Sequence, residues 1–490
     1  MNLVLYNPPS SANKKPILPM SLLAIGALLE NKHPYVIIDG NLEADPLSAL
    51  DNAIRTTSAH VLAVTVMPGP QLANAVPICK ALKAKYPQLI IVWGGYFPTQ
   101  HYDVVLKADY VDYVVRGHGE EAFLSLLDII QRGGSPVALN GIAYKDGQTL
   151  VGNAPAVIPH PDKLPDFPYH RVDVGRYIRK TFMGDRTLPH HSSYGCPFFC
   201  NFCAVVNMVN GRWLAQSAER TANTVRHLVT QWDLNAVEFY DNNFFTHEAR
   251  VAEFAERIMD LGIAWWGEGR IDTMMHYSEA TWQKMADSGL RMVFLGAESG
   301  SDETLQRMDK GGKASVQKTL DIAAKMARYN IVPEMSFVVG NPPHPEKDTE
   351  QTLAFIRKVK QVNPRTEVII YVYTPVPLSG ELYDQAKAEG FAFPETLEGW
   401  ISDEWQDFVQ RRSANMPWMN DPIRKRVRNF ERVLNAYYPT STDLRLTAPM
   451  RLLLRGISAV RYHTQFYSHP IELRVLHKLF KYQRPETTSF

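Results

Sequence analysis

Three cysteines within eight residues, Cys196, Cys200 and Cys203 of HHSSYGCPFFCNFCAVV, are the side chains of this sequence best suited to chemistry. The fourth cysteine, Cys79, lies far upstream. Thiolates bind soft metals, and the spacing C-x3-C-x2-C admits two metal readings. A structural zinc ion takes four nitrogen or sulfur ligands, and His190 or His191 stands nearby as a fourth. An iron–sulfur cluster is the other reading, with three thiolates on three irons of a cubane and the fourth iron open to a chelating molecule. Three unligated thiols are the remaining alternative. Gly195, Pro197 and Asn201 place the run on a loop. More polar residues follow at expected strand ends: Asp241, Arg270 with Asp272, Glu298 with Ser299, and Gly340. Taken singly, each also reads as a helix cap or a turn.

Elements must position these groups, and the hydrophobic pattern predicts which. The chain has 490 residues, 45% of them hydrophobic and 21% charged, with a net charge of +1. That length predicts several domains, and the charge balance gives no footprint for nucleic acid. No signal-like or bilayer-spanning apolar run is found, so a cytoplasmic protein is expected. Residues 1–135 alternate five strands (3–7, 35–39, 61–67, 89–96, 113–117) with helices, among them 71–86, which Pro77 should kink or shorten. Continuous Val/Ile/Leu strands between helices predict a doubly wound parallel sheet of the Rossmann or flavodoxin type, with ligands at the carboxyl ends of its strands. Prolines gather over 136–188, which reads as a linker or docking strap. Six further strand–helix repeats over 189–390 (strands 190–195, 236–242, 264–272, 292–299, 333–340, 367–375) predict a partial (β/α)6 TIM-like barrel. The last segment, 391–490, reads as mostly helical.

The cysteine spacing, with Phe202 before the last thiol and the loop following the first strand of a (βα)6 series, resembles the radical S-adenosylmethionine (SAM) superfamily. The resemblance covers about 190–390. It implies a [4Fe-4S] cluster on Cys196, Cys200 and Cys203, and SAM held by Asp241 of EFYDNNF, Glu298 and Ser299 of LGAESGS, and Gly340 of FVVGNPP. Arg270 is a further candidate for lining that site, and PVPLSGELYDQAKAEG, with Ser379, resembles the segment that closes the barrel.

Residues 1–135, with YNPP, GGYFPTQ and VVRGHGEEAF, resemble the cobalamin-binding domains that precede many such barrels. Gly94, Gly95 and Gly117 are expected to clear space for the corrin and its tail, the alternative being that they serve turns. One departure is plain: Asn41 of DGNLEA stands where many relatives carry a histidine ligand to cobalt, so cobalamin is expected with no protein imidazole below the metal. His118 is a candidate neighbour of the corrin. The resemblance implies an enzyme that methylates an unactivated carbon of a small molecule, a hydrophobic one being among the candidates, fed electrons by a donor such as a flavodoxin or ferredoxin. A cobalamin-dependent oxidative cyclase or rearrangement enzyme, or a barrel whose first domain has lost cobalamin, are the alternatives. Interleaved arginines and apolar residues in 423–434 and 444–463 leave peripheral contact with a membrane surface open, against helices that simply cover the barrel mouth.

Overall fold

In a computed structural model, residues 1–10, 16–308, 313–376, 380–409, 418 and 420–480 are described; Ser379 of the expected closing segment lies outside them. Strands β1 (Leu3–Asn7), β2 (Tyr35–Asp39), β3 (Val61–Thr65), β4 (Ile90–Gly94) and β5 (Tyr113–Val115) pair in the parallel order β2-β1-β3-β4-β5. Their side chains are apolar on both faces because helices cover both sides, burying Leu3, Val4, Leu5, Val92 and Trp93 completely or nearly so.

The stretch expected as a linker does more than connect. A hairpin of β6 (Ile142–Asp146) and β7 (Thr149–Gly152) extends the same sheet to seven strands, antiparallel to β5. Its two-residue turn is Gly147-Gln148, directly after Asp146, with Gly147 at φ +59°, a glycine-first hairpin signal masked by the surrounding prolines. Further on, Tyr169, Val174 and Tyr177 bury themselves between Leu18 and Leu23 on one side and Leu188 and Leu228 on the other, joining the two halves of the chain in one core. The helix Pro70–Lys85 runs through Pro77 without ending there.

The second sheet is parallel throughout, in the order β15-β14-β13-β12-β11-β8: β8 (Thr187–His190), β11 (Ala236–Phe239), β12 (Ala264–Gly269), β13 (Leu290–Glu298), β14 (Val332–Val339) and β15 (Glu367–Val372). Two expected strands are shorter than the pattern suggested. The first leaves the barrel at His190, and Ser193–Gly195 becomes β9, pairing antiparallel with β10 (Trp213–Ala215). The third ends at Gly269, so Asp272 lies on the short helix Ile271–Met274. Outside the sheet, Phe239, Phe244, Phe254 and Trp265 form a fully buried aromatic cluster.

The C-terminal segment does not simply cover the barrel mouth. Trp400 packs on Phe97 and His101 of the first domain, at ring separations of 4.9 and 4.6 Å. The helix Asp421–Tyr437 lies along the barrel helix Pro345–Val362 and carries the helix Ala448–Thr464 on its outer side.

Asp39 ties the halves together. Its buried carboxylate accepts hydrogen bonds from Asn7 Nδ2 (3.0 Å), the Asn41 amide (3.0 Å), Asn41 Nδ2 (2.8 Å) and the Tyr177 hydroxyl (2.9 Å). Asp39→Ala leaves these donors buried without an acceptor and is expected to lower stability by about 2–4 kcal/mol. Chemical unfolding that places the loss below half a kilocalorie would show that this network carries no stability.

Candidate active site

The cysteine loop is the connection between β9 and the short helix Val205–Val209, and its geometry starts at a carboxylate. Asp241, two residues past β11 and fully buried, accepts the Ser192 amide (3.0 Å) and the Ser192 hydroxyl (2.8 Å). Arg250 also donates to that hydroxyl at 2.7 Å. This grip turns the chain out of the barrel wall after β8. Gly195 then adopts φ +80°, and an added Cβ would stand 2.2 Å from the Arg212 carbonyl oxygen, so only glycine fits before Cys196.

The thiols sit in a low-dielectric setting. Burial pushes Cys203 up to about 12, so without a metal it is a neutral thiol and must shed its proton to become a ligand. Arg270 reaches the loop from the end of β12: Nη1 donates to Cys200 Sγ at 3.2 Å, and the guanidinium lies 3.7 Å above the Phe198 ring. Asp272 holds the other edge of that guanidinium through two bonds of 3.0 and 2.8 Å. Arg270, a candidate for lining a SAM site, thus contacts both the cysteine loop and Asp272. Asn243, which the sequence did not single out, points Nδ2 toward Cys196 Sγ at 3.9 Å and leaves its buried Oδ1 without a partner. A thiol set with an aimed cation, and an orphaned amide oxygen beside it, fits a bound polar group such as a cluster and its chelating ligand. Among the described residues no three His, Cys, Asp or Glu converge on one point as single-ion ligands do; a cubane spreads its three thiolates over separate irons. His190, a candidate zinc ligand, packs between Phe167 and Phe239.

Glu298 closes β13 in a conformation that non-glycine residues seldom adopt, at φ +63°, where the register with β14 shifts. It is buried and near enough to Cys203 to bear on the thiol's ionisation. Left-handed backbone at a buried non-glycine residue persists only where the surrounding structure holds it. Gly340, one residue past β14, has φ +78° at the same end of the barrel. Ser299 is different: its hydroxyl lies within 3.3 Å of Asp348 and accepts the Ser301 amide at 3.2 Å, so the side chain braces the following turn.

In the first domain the expected cofactor residues have partners within the fold. Asn41 is turned into the fold, its Oδ1 accepting the Ser10 amide (2.8 Å) and hydroxyl (3.1 Å) while Nδ2 serves Asp39. At Gly95 and Gly117 a Cβ would meet the Val66 and Ala156 backbones at 3.1 Å, and both have positive φ, as turns require. At Gly94 the nearest neighbour of such a Cβ is Val115, at an ordinary 3.7 Å. The carboxyl ends of this sheet nevertheless face the cysteine loop. The helix Tyr96–Gln100 packs on Val205–Val209, with Tyr96 close enough to Cys203 to feel its charge. His118 meets Tyr194 of β9 at a ring separation of 4.9 Å.

The barrel lumen holds a carboxyl-rich layer that sequence reasoning missed. Arg179, from the presumed linker, reaches in to pair with Glu238 and donates to the Tyr240 hydroxyl at 2.6 Å. Trp266 Nε1 donates to Glu334 at 3.0 Å. Burial raises Glu334 to about 8, aided by Glu367, and raises Glu268 to about 8, aided by Asp241. The only signal was alternation along β12 and β14, which puts 266, 268 and 334 on the inward face.

Residues 14–127 match the family model for the B12 binding domain, and 191–356 match that of the radical SAM superfamily. The chain is 24% identical over 368 residues to an uncharacterised methyltransferase of Pyrococcus horikoshii, covering 73% of this chain and 78% of the relative. It is 25% identical over 375 residues to the anaerobic magnesium-protoporphyrin IX monomethyl ester cyclase of Synechocystis sp., covering 74% and 72%. The fold matches the radical SAM methyltransferase TsrM of Kitasatospora setae, solved with cobalamin and a [4Fe-4S] cluster, with a TM-score of 0.61 at 17% identity over 76% and 73% of the two chains.

The lumen glutamates generate a stability prediction. In the unfolded chain each ionises near its ordinary 4.5, whereas the folded chain keeps it protonated until about 8. The unfolded state therefore binds fewer protons between those values, and stability falls as pH rises through that window. Metal-free protein should melt at a lower temperature at pH 8 than at pH 6, and Glu268→Gln or Glu334→Gln should flatten the difference. Identical pH slopes in wild type and both variants would assign the raised values to something else.

Proposed function

We propose that this chain, which belongs with the cobalamin-dependent radical SAM enzymes by the order of its two domains, methylates an unactivated carbon of a small molecule. The observation that carries the reading is the abutment of the two domains: the strand ends of the B12-binding sheet, through Tyr96, meet the loop of Cys196, Cys200 and Cys203. A substrate held between them reaches both cofactors. When bound, the cluster supplies the electron that cleaves SAM to a 5′-deoxyadenosyl radical, and cobalamin supplies the methyl group.

The residues divide the remaining work. Cys196, Cys200 and Cys203 hold the cluster, and Arg270 favours the thiolate form of Cys200 by placing a cation at its sulfur. Glu298 and Gly340 set the walls that receive SAM, and Asn243 offers its free amide oxygen to the same ligand. Asp241 positions the loop through Ser192. The aromatic side chains and the protonated Glu268 and Glu334 of the lumen, with Arg179 and Glu238 neutralising each other, limit water and net charge near the radical. Asn41 is committed to Ser10 and Asp39 and offers cobalt no ligand. A soluble flavodoxin or ferredoxin is the proposed electron donor. The cyclase relative supports a second outcome, radical oxidation without methyl transfer.

Anaerobically reconstituted protein should bind about four irons and cleave SAM to 5′-deoxyadenosine. Cys200→Ala should abolish cleavage, while Cys79→Ala, at a buried thiol that accepts from Trp93 Nε1 at 3.4 Å, should leave it intact. Incubation with methyl-deuterated SAM and cell extract should then give a product heavier by one labelled methyl group. SAM cleavage with no labelled product would favour the cyclase-type outcome, and cleavage surviving in Cys200→Ala would overturn the cluster assignment.

A further inference from the structure

We propose that the two last helices dock this protein on the surface of an anionic lipid bilayer. On the helix Ala448–Thr464, Leu454, Ser458 and Tyr462 are buried against the rest of the protein. Its other face turns Leu452, Leu453, Ile457 and Val460 outward, with Leu452 73% and Val460 71% exposed. The spacing of three to four residues stacks these side chains in one stripe. The helix Ile471–Phe480 repeats the pattern: Leu473 is buried, while Ile471, Val475 and Leu479 stand exposed at four-residue intervals. Phe466, 55% exposed, lies in the connection between them. Eight large apolar side chains are thus exposed within residues 452–479, seven on the two helices and one between them, where scattered single residues are the norm.

Charge selects the occupant. From Leu444 to Ile471 the sequence has four arginines and no Asp or Glu. The single acidic residue of the two helices, Glu472, is paired with Arg461. Arg455, Arg474 and Lys478 are exposed beside the stripes. A second copy of the same surface would set these cations against each other, whereas a bilayer with anionic headgroups meets both the apolar and the cationic parts. Arg451, Leu452 and Arg455 line a cavity of about 450 Å³ with Arg365 and Glu367, so the stripe begins beside a polar cavity in which Arg451 is held by backbone carbonyls and Arg455 is exposed. No helix among the described residues is long and apolar enough to cross a membrane, which leaves attachment in the interface plane. The cavity lies where β15 begins, at the end of the barrel opposite the cysteine loop, so docking tethers the protein without occluding the proposed active site.

The test is co-sedimentation of the full-length protein with large unilamellar vesicles, either equimolar phosphatidylglycerol and phosphatidylcholine or phosphatidylcholine alone. Binding is expected to the anionic vesicles only, weakening with salt. Leu452→Glu combined with Val460→Glu should reduce partitioning by roughly tenfold or more, and Arg455→Ala by about fivefold, as one interfacial cation contributes. All three positions are exposed, so circular dichroism and iron content should be unchanged and a folding defect is separable. Equal partitioning of wild type and the double variant, or no binding to anionic vesicles, would overturn the proposal. A concentration-dependent dimer that the double variant abolishes, without vesicle binding, would also overturn it and assign the stripe to a second copy.

Discussion

The grip of Asp241 on Ser192 is the constraint from which the catalytic end of the barrel is built. A strand that continued past His190 would keep the cysteines in the barrel wall, with alternate side chains facing helix and lumen. By accepting both the amide and the hydroxyl of Ser192, a buried carboxylate takes over hydrogen bonding that a neighbouring strand would otherwise supply. The chain then turns outward, pairs briefly as β9 with β10, and passes Gly195 into the loop. Burial raises Glu268 and the same carboxylate adds to that rise, so one group both positions the loop and bears on a neighbouring acid. Losing Asp241 would release two donors and relax a second acid, which couples the fold of the loop to the electrostatics of the lumen.

That coupling explains the arrangement of charge near the thiols. Three thiolates in a buried site repel one another and pay for desolvation, so a cation must stand close. Arg270 meets this need, and its fork is held by Asp272 and its face by Phe198, so little freedom remains to be lost when it contacts Cys200. Its position depends on β12 ending at Gly269. Had the strand continued through Asp272, Arg270 and Asp272 would both point to one face of the sheet in a row, without the turn that folds them into a pair.

The gross fold was legible because its signals are long and redundant. Runs such as LVLYN, VLAVT and IIVWG leave few alternatives to buried parallel strands, and the cysteine spacing has few competing explanations. What stayed hidden were short or directional features. The hairpin that turns at Gly147-Gln148 was obscured by neighbouring prolines. The exit of β8 is set by contact with Asp241 from another strand end, which no local pattern encodes, and the exit of β12 by the Arg270–Asp272 pair that forms only once the strand has ended. Side-chain direction was the largest gap. Asn41 and Ser299 stand where motifs place them, yet both turn into the fold to satisfy backbone amides, and Gly95 and Gly117 serve their own backbone conformations. Conversely Asn243, Arg179, Glu268 and Glu334 looked like ordinary polar residues until the barrel closed around them.

Glu298 shows why the barrel tolerates strain at its upper rim. A left-handed glutamate costs of the order of 1–3 kcal/mol, and it persists only where surrounding structure over-determines it. Here β13 is flanked by β12 and β14 along nearly its whole length, and Ser299 and Gly300 are anchored by Asp348 and Thr352 on the next barrel helix. The strand cannot relax by slipping, since a one-residue shift would carry its apolar set to the wrong face. The strain is thus confined to one peptide, at the register shift, where it turns an acidic side chain toward the cysteines instead of into the sheet. The bracing by Ser299 and the displacement of Glu298 are two halves of one device: the residue after the strand holds the turn so that the residue before it can face the chemistry.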